Sequence, residues 1–155
     1  MDLLFKDLLR ELNAEQAEYL IIGGYALIIH SQPRYTGDID IWIGDDATNA
    51  ERVYRALARF GAPVSGLTSD DLIDPKSHFQ VGISPYRIDI LSNIDAVAFK
   101  DAWPKRLPWK VDGELDTFYI SADDFVANKK AVGRYKDLAD AEAVMDARAA
   151  RENPK

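Results

Sequence analysis

The stretch Tyr19-Leu20-Ile21-Ile22-Gly23-Gly24-Tyr25-Ala26-Leu27, with Gly37-Asp38-Ile39-Asp40-Ile41-Trp42-Ile43 soon after it, decides the fold. The apolar run Tyr19 to Ile22 has the length of a buried strand. Gly23 and Gly24 break it. Tyr25 to His30 reads as a helix, which Pro33 ends because a proline ring disfavours a helical residue before it. Ile39 to Ile43 is a second strand. Side chains alternate along an extended chain, so Ile39, Ile41 and Ile43 point to the interior and Asp38 and Asp40 to the opposite face.

Outward from this centre, Leu3, Leu4, Leu8, Leu9 and Leu12 recur at helical spacing and predict a helix ending near Asn13 or Ala14. Another helix spans Asn49 to Phe60, stopped by Gly61 and Pro63, and residues 66 to 76 are polar and irregular. Phe79 to Ile83 and Arg87 to Leu91 form a hairpin around Ser84-Pro85. Ala96 to Asp101 is a helical turn, and Trp109 to Val111 and Thr117 to Ile120 are short strands flanking Asp112-Gly113. Trp103 and Trp109, with Pro104 and Pro108, form a packed connector. Ser121-Ala-Asp-Asp has capping-box spacing, with aspartate in place of glutamate. It opens a helix to about Gly133, and Lys136 to Arg148 forms the last helix. The expected class is α/β of the mixed α+β kind, a mixed central sheet flanked by helices.

At 155 residues the chain is expected to be one domain over 1–150, with a frayed tail over 151–155. No apolar run approaches a membrane span, and the start lacks a signal-peptide pattern. The absence of cysteine excludes disulfides, thiol catalysis and cysteine-ligated zinc, and fits a cytoplasmic protein. With 26 acidic against 19 basic residues the net charge is −7, which argues against an extended nucleic-acid footprint but leaves room for contact with one nucleic-acid end.

Asp38 and Asp40 on one face repel each other unless something cationic lies between them, and a divalent metal is the natural candidate. Asp89, in Arg-Ile-Asp-Ile-Leu, is again a single carboxylate emerging from an apolar strand. Three such aspartates on adjacent strands suit two Mg²⁺ ions, which prefer oxygen ligands. Taken singly, each is a plain surface carboxylate. Gly23-Gly24 is either a simple strand-to-helix turn or a close approach of backbone to an anion, which the helix dipole and free N–H groups favour.

The ordered set Gly23-Gly24, Arg34-Tyr35-Thr36-Gly37-Asp38-Ile39-Asp40, then Asp89, resembles the nucleotidyltransferase fold of the DNA polymerase beta-like superfamily. The segment from Ser121 through Lys129-Lys130 to Asp137 and Asp140 is similar to the closing segment of its small bacterial branch, which contains abortive-infection type IV toxins. The resemblance implies transfer of a nucleoside monophosphate from an NTP such as ATP to a hydroxyl, with release of pyrophosphate. It makes Asp38, Asp40 and Asp89 the ligands of two Mg²⁺ ions, with Mn²⁺ as a substitute, and has Asp89 help activate the acceptor. Gly23 and Gly24 would cradle phosphates. The acceptor would be a tRNA end, a protein or a small molecule, and a cognate antitoxin or toxin would be the partner. Gly24 stands where many members carry serine, so that hydroxyl contact is missing.

Lys129, Lys130, Arg134 and Lys136 form a basic cluster. The resemblance favours Lys129 as the nucleotide-binding cation, while Lys130 and Arg134 share a face at i, i+4. The alternative is a solvated helix face paired with Asp123, Asp124 and Asp137. Arg34 either contacts phosphate or salt-bridges Asp38. Thr36 orients a carboxylate or caps a turn. His30 reads as packed, His78 has no evident partner, and Trp42 either packs or stacks on a base. A catalytically silent nucleotide- or partner-binding module is the alternative to an enzyme.

Overall fold

A computed structural model describes residues 1–153, and in these six strands form one mixed sheet of order β3-β4-β2-β1-β6-β5. The strands are β1 (Tyr19–Ile22), β2 (Ile39–Ile43), β3 (Phe79–Val81), β4 (Ile88–Leu91), β5 (Leu107–Val111) and β6 (Leu115–Tyr119). The helices are α1 (Leu3–Ala14), α2 (Gly23–His30), α3 (Ala47–Phe60), α4 (Phe99–Ala102), α5 (Ala122–Val132) and α6 (Tyr135–Glu152), with 3₁₀ turns at Ser69–Ile73 and Trp103–Lys105. The architecture is the expected α/β one.

The leucine spacing of α1 puts Phe5, Leu8, Leu9 and Leu12 on one buried face, and Asp2 caps its start by accepting from the Leu4 N–H. That face packs on α3, whose Val53, Ala56 and Leu57 are also buried. Ile39, Ile41 and Ile43 are fully buried. Burying each such side chain is worth roughly 1.5–3 kcal/mol, which fixes the register of β2 and with it the height of Asp40. Trp42 is buried as well and meets Phe99 edge-on at 5.2 Å, so it packs and does not face a ligand. Trp103 stacks on Phe99 under the Arg106 guanidinium, whereas Trp109 lies on β5 and is exposed, so only Trp103 is a packed connector.

Several local expectations change. Lys130 and Arg134 do not share a helix face, because Gly133 takes a left-handed conformation and ends α5, and Arg134 then precedes α6. Ser121 does cap α5 through the Asp124 N–H, but the Asp124 carboxylate turns to Lys105 at 2.9 Å instead of completing a box. A reciprocal box forms at Thr68 and Asp71, in the stretch read as irregular. The tail expected over 151–155 is helical to Glu152, and Arg151 donates to the His30 carbonyl at 2.8 Å. Residues 154–155 lie outside the described residues. Among the described residues no helix is long and apolar enough to cross a membrane.

Candidate active site

The antiparallel pairing of β1 with β2 brings the end of one beside the start of the other, so Ile22 lies opposite Asp40. The parallel pairing of β2 with β4 sets Asp40 opposite Asp89, and β3 adds Gln80 opposite Asp89. Directly paired residues share a sheet face, so Asp40 and Asp89 stand side by side. Asp89 is only 3% exposed. Burial pushes the Asp40 carboxyl up to about 6, the adjacent Asp89 adds to the shift, and Lys129 opposes it.

Gly23 opens α2 with φ +66°, and a Cβ there would overlap Asp40 Oδ2. The glycine is what lets the carboxylate lie against the first turn of the helix. No side chain caps that turn, so its N–H groups are available to an anion. A Cβ on Gly24 would lie 2.5 Å from Thr36 Oγ1. The Thr36 hydroxyl thus occupies the space beside Gly24, where the common serine would clash with it.

A cleft of about 370 Å³ is lined by Gly23, Asp40, Asn93, Asn128, Lys129 and Arg134 among others. Lys129 is held by the buried Asp137 at 3.6 Å. The hydrogen bond from Arg134, at 2.7 Å, keeps the Asp137 carboxyl below the usual carboxylate range, and Lys129 assists. Lys129 lines the cleft, while Lys130 is exposed and does not.

Asp38 sits just before β2 and is turned elsewhere. It accepts from Ser84 Oγ at 2.6 Å and the Arg87 N–H at 3.0 Å, which hold its carboxyl below the usual range. The Arg87 guanidinium spans Asp38 Oδ2 at 3.5 Å and Asp89 Oδ1 at 3.0 Å. His78 Nε2 approaches Asp89 Oδ1 at 3.4 Å. Arg34 does not salt-bridge Asp38. It points to Asp140 on α6, at 3.9 Å. His30 is buried at the end of α2 with Nε2 on the Ile120 carbonyl at 2.7 Å, and burial lowers its pKa.

His78, which the sequence leaves without an evident partner, finds one in Asp89. Arg87 and Ser84 are not among the site residues the sequence singles out. For Arg87 a signal exists, since Arg87 and Asp89 are two apart in an extended segment and share a face. Ser84 gives none.

The donor set suits a hard divalent cation: a buried and a half-buried carboxylate side by side, with Asp38 on the same guanidinium as Asp89. Among the described residues, however, no three carboxylate or imidazole groups converge as a ready cage. A family model described as "Nucleotidyltransferase of unknown function (DUF6036)" matches residues 3–146. No curated protein matches the chain.

Proposed function

From the premise that this chain belongs to that family of nucleotidyltransferases, we propose that it moves a nucleoside monophosphate from an NTP to an acceptor hydroxyl in a metal-dependent reaction. The single observation that carries this reading is the Asp40–Asp89 pair, set against the uncapped start of α2 with Lys129 across the cleft. Asp40 and Asp89, joined by Asp38, would hold Mg²⁺ or Mn²⁺. Bound there, divalent ions supply the positive charge that offsets the triphosphate and the departing pyrophosphate.

The chain's own groups do the rest. The N–H groups of the first α2 turn and the Thr36 hydroxyl receive phosphate oxygens, and Lys129, oriented by Asp137, offsets charge on the leaving group. Asp89 takes the acceptor proton while the acceptor oxygen bonds to the α-phosphorus. The bond from that phosphorus to the β-phosphate oxygen breaks, and pyrophosphate leaves. Arg34, 48% exposed at the edge of α6, would meet the acceptor or an outer phosphate.

A tRNA end, a protein side chain and a small molecule are the acceptors to test, and the resemblance to the toxin branch adds a role beside a cognate antitoxin or toxin. Incubation with each α-labelled NTP, Mg²⁺ and cell lysate, followed by separation of RNA, protein and small molecules, tests the reading. Label in none of the fractions would overturn it. One observation favours a silent binding module: Asp38 is engaged by Ser84 and Arg87. Calorimetric titration of Mg·ATP and Mg·CTP into wild type and Asp40→Asn separates binding from turnover.

A further inference from the structure

The guanidinium of Arg87 lies where a cation between Asp38 and Asp89 would lie. Its Nε donates to both Asp89 oxygens, at 3.0 and 3.2 Å, and its Nη2 is 3.5 Å from Asp38 Oδ2. The tie is reinforced by the backbone, where Arg87 N donates to Asp38 Oδ1 and Ile39 N donates to the Arg87 carbonyl. Asp89 is almost wholly buried. A buried carboxylate beside Asp40 needs a compensating charge, and here the chain provides it.

We propose that Arg87 is a tethered counter-ion that holds the acidic site closed to free divalent ions and yields it to a metal–nucleotide complex. The inference rests on the metal-dependent reading above. A free divalent ion entering between Asp38 and Asp89 must displace the guanidinium and leave two cations facing each other. An ion arriving with a nucleoside triphosphate brings phosphate oxygens, with which the displaced guanidinium pairs. Each ion pair broken is then matched by one formed. Arg87 thereby couples metal binding to nucleotide binding, and part of the negative charge of the site stays neutralised until its substrate is present.

The test is Mn²⁺ binding, measured by electron paramagnetic resonance and calorimetry, without and with an α,β-methylene nucleoside triphosphate. Wild type, Arg87→Met, Arg87→Lys and Asp40→Asn are compared. Met keeps the stem and removes the charge. Lys keeps the charge but cannot span two carboxylates. Arg87→Met is expected to bind free Mn²⁺ about tenfold more tightly than wild type, the effect of removing one adjacent like charge. The gain in Mn²⁺ affinity from the nucleotide analogue should shrink by a similar factor, with Arg87→Lys in between. Arg87→Met should also melt lower than wild type in chelator and recover more on Mn²⁺ addition, which a purely structural arginine would not produce. Equal Mn²⁺ affinity in wild type and Arg87→Met, lost in Asp40→Asn, would overturn the counter-ion role and leave the metal site standing. Absence of Mn²⁺ binding in every variant, with and without the analogue, would overturn both.

Discussion

Two neighbouring parallel strands, β1 and β6, run in register at Ile21 and Tyr119 and each leads into a helix at the same edge of the sheet. The two helix starts are built in opposite ways. At α5, Ser121 accepts from the Asp124 N–H, Asp123 and Asp124 complement the helix dipole, and Lys105 and Arg148 pair with those carboxylates. At α2 there is no capping side chain and no acid in the first turn. Two glycines stand there, one with a left-handed φ, and the nearest charge belongs to Asp40 from another strand. The start of α5 carries its own cap and its own first-turn acids. The start of α2 is left open, and openness at a buried edge costs stability unless something else fills it. The difference locates the site more sharply than any cavity does.

The largest effect should come from removing the charge that faces the open start. Asp40→Asn is expected to lower transfer of labelled nucleotide by at least about 10³-fold, since metal binding contributes several kcal/mol. The fold should survive the change. Asp40 is half-buried beside Asp89, so losing its charge relieves repulsion in the metal-free protein. Transfer at wild-type rate would remove Asp40 from the site.

The same pair sets a pH dependence with a definite sign. Burial, with Asp89 adding to it, pushes the Asp40 carboxyl up to about 6 in the folded chain from its ordinary 3.8. Between those values the folded chain holds the extra proton, so stability falls as pH rises through the window, by at most about 3 kcal/mol. Asp38 and Asp137 are shifted the other way, and their contribution is lost only below the usual carboxylate pKa. Buried His30, with its pKa lowered, adds stability as pH rises in both proteins, so in urea denaturation in chelator from pH 4 to 7 wild type should lose stability relative to Asp40→Asn. Equal slopes in the two proteins would deny the Asp40–Asp89 repulsion.

Gly23→Ala would place a methyl against Asp40 Oδ2 and impose a left-handed φ on alanine. A shift of the carboxylate by about 1 Å is enough to lower transfer by on the order of 10²-fold. The same substitution at Gly133, the C-terminal stop of α5, should cost stability and leave transfer near wild type, because no Asp40-like group lies there. Lys129→Ala should weaken NTP binding by about tenfold, the loss of one charge-assisted contact. Unchanged affinity would make Lys129 merely the partner of Asp137.

Much of this arrangement is legible in the sequence because it is local. Tyr19 to Ile22, the Gly-Gly break and Asp-Ile-Asp-Ile are short-period patterns, and Ser121 signals its own cap. The long-range partners are not legible. Arg34 meets Asp140 rather than Asp38 because α6 folds back over the loop before β2, which no spacing encodes. The meeting of Arg87 with Asp38 depends on the β2–β4 register, in which Ile39 faces Ile88. The break between Lys130 and Arg134 is local, since Gly133 is a common helix stop, and it overrides the i, i+4 spacing of the two cations.

The smallest effect is the one that isolates the comparison. Ser121→Ala removes the hydroxyl that accepts from the Asp124 N–H at 3.1 Å. That donor loses its partner inside the protein, and the cost is about 1 kcal/mol of stability. Asp124 still holds Lys105, and Phe125 remains buried, so the helix keeps its seat and Lys129 keeps its height in the cleft. NTP affinity should therefore stay within about twofold of wild type, well short of the Lys129→Ala loss. Chemical denaturation and nucleotide titration on the same preparations give both numbers. A Ser121→Ala protein of wild-type stability but impaired nucleotide binding would mean that the start of α5 also serves the ligand. The contrast between a saturated and an open helix start would then give way to a site shared by both.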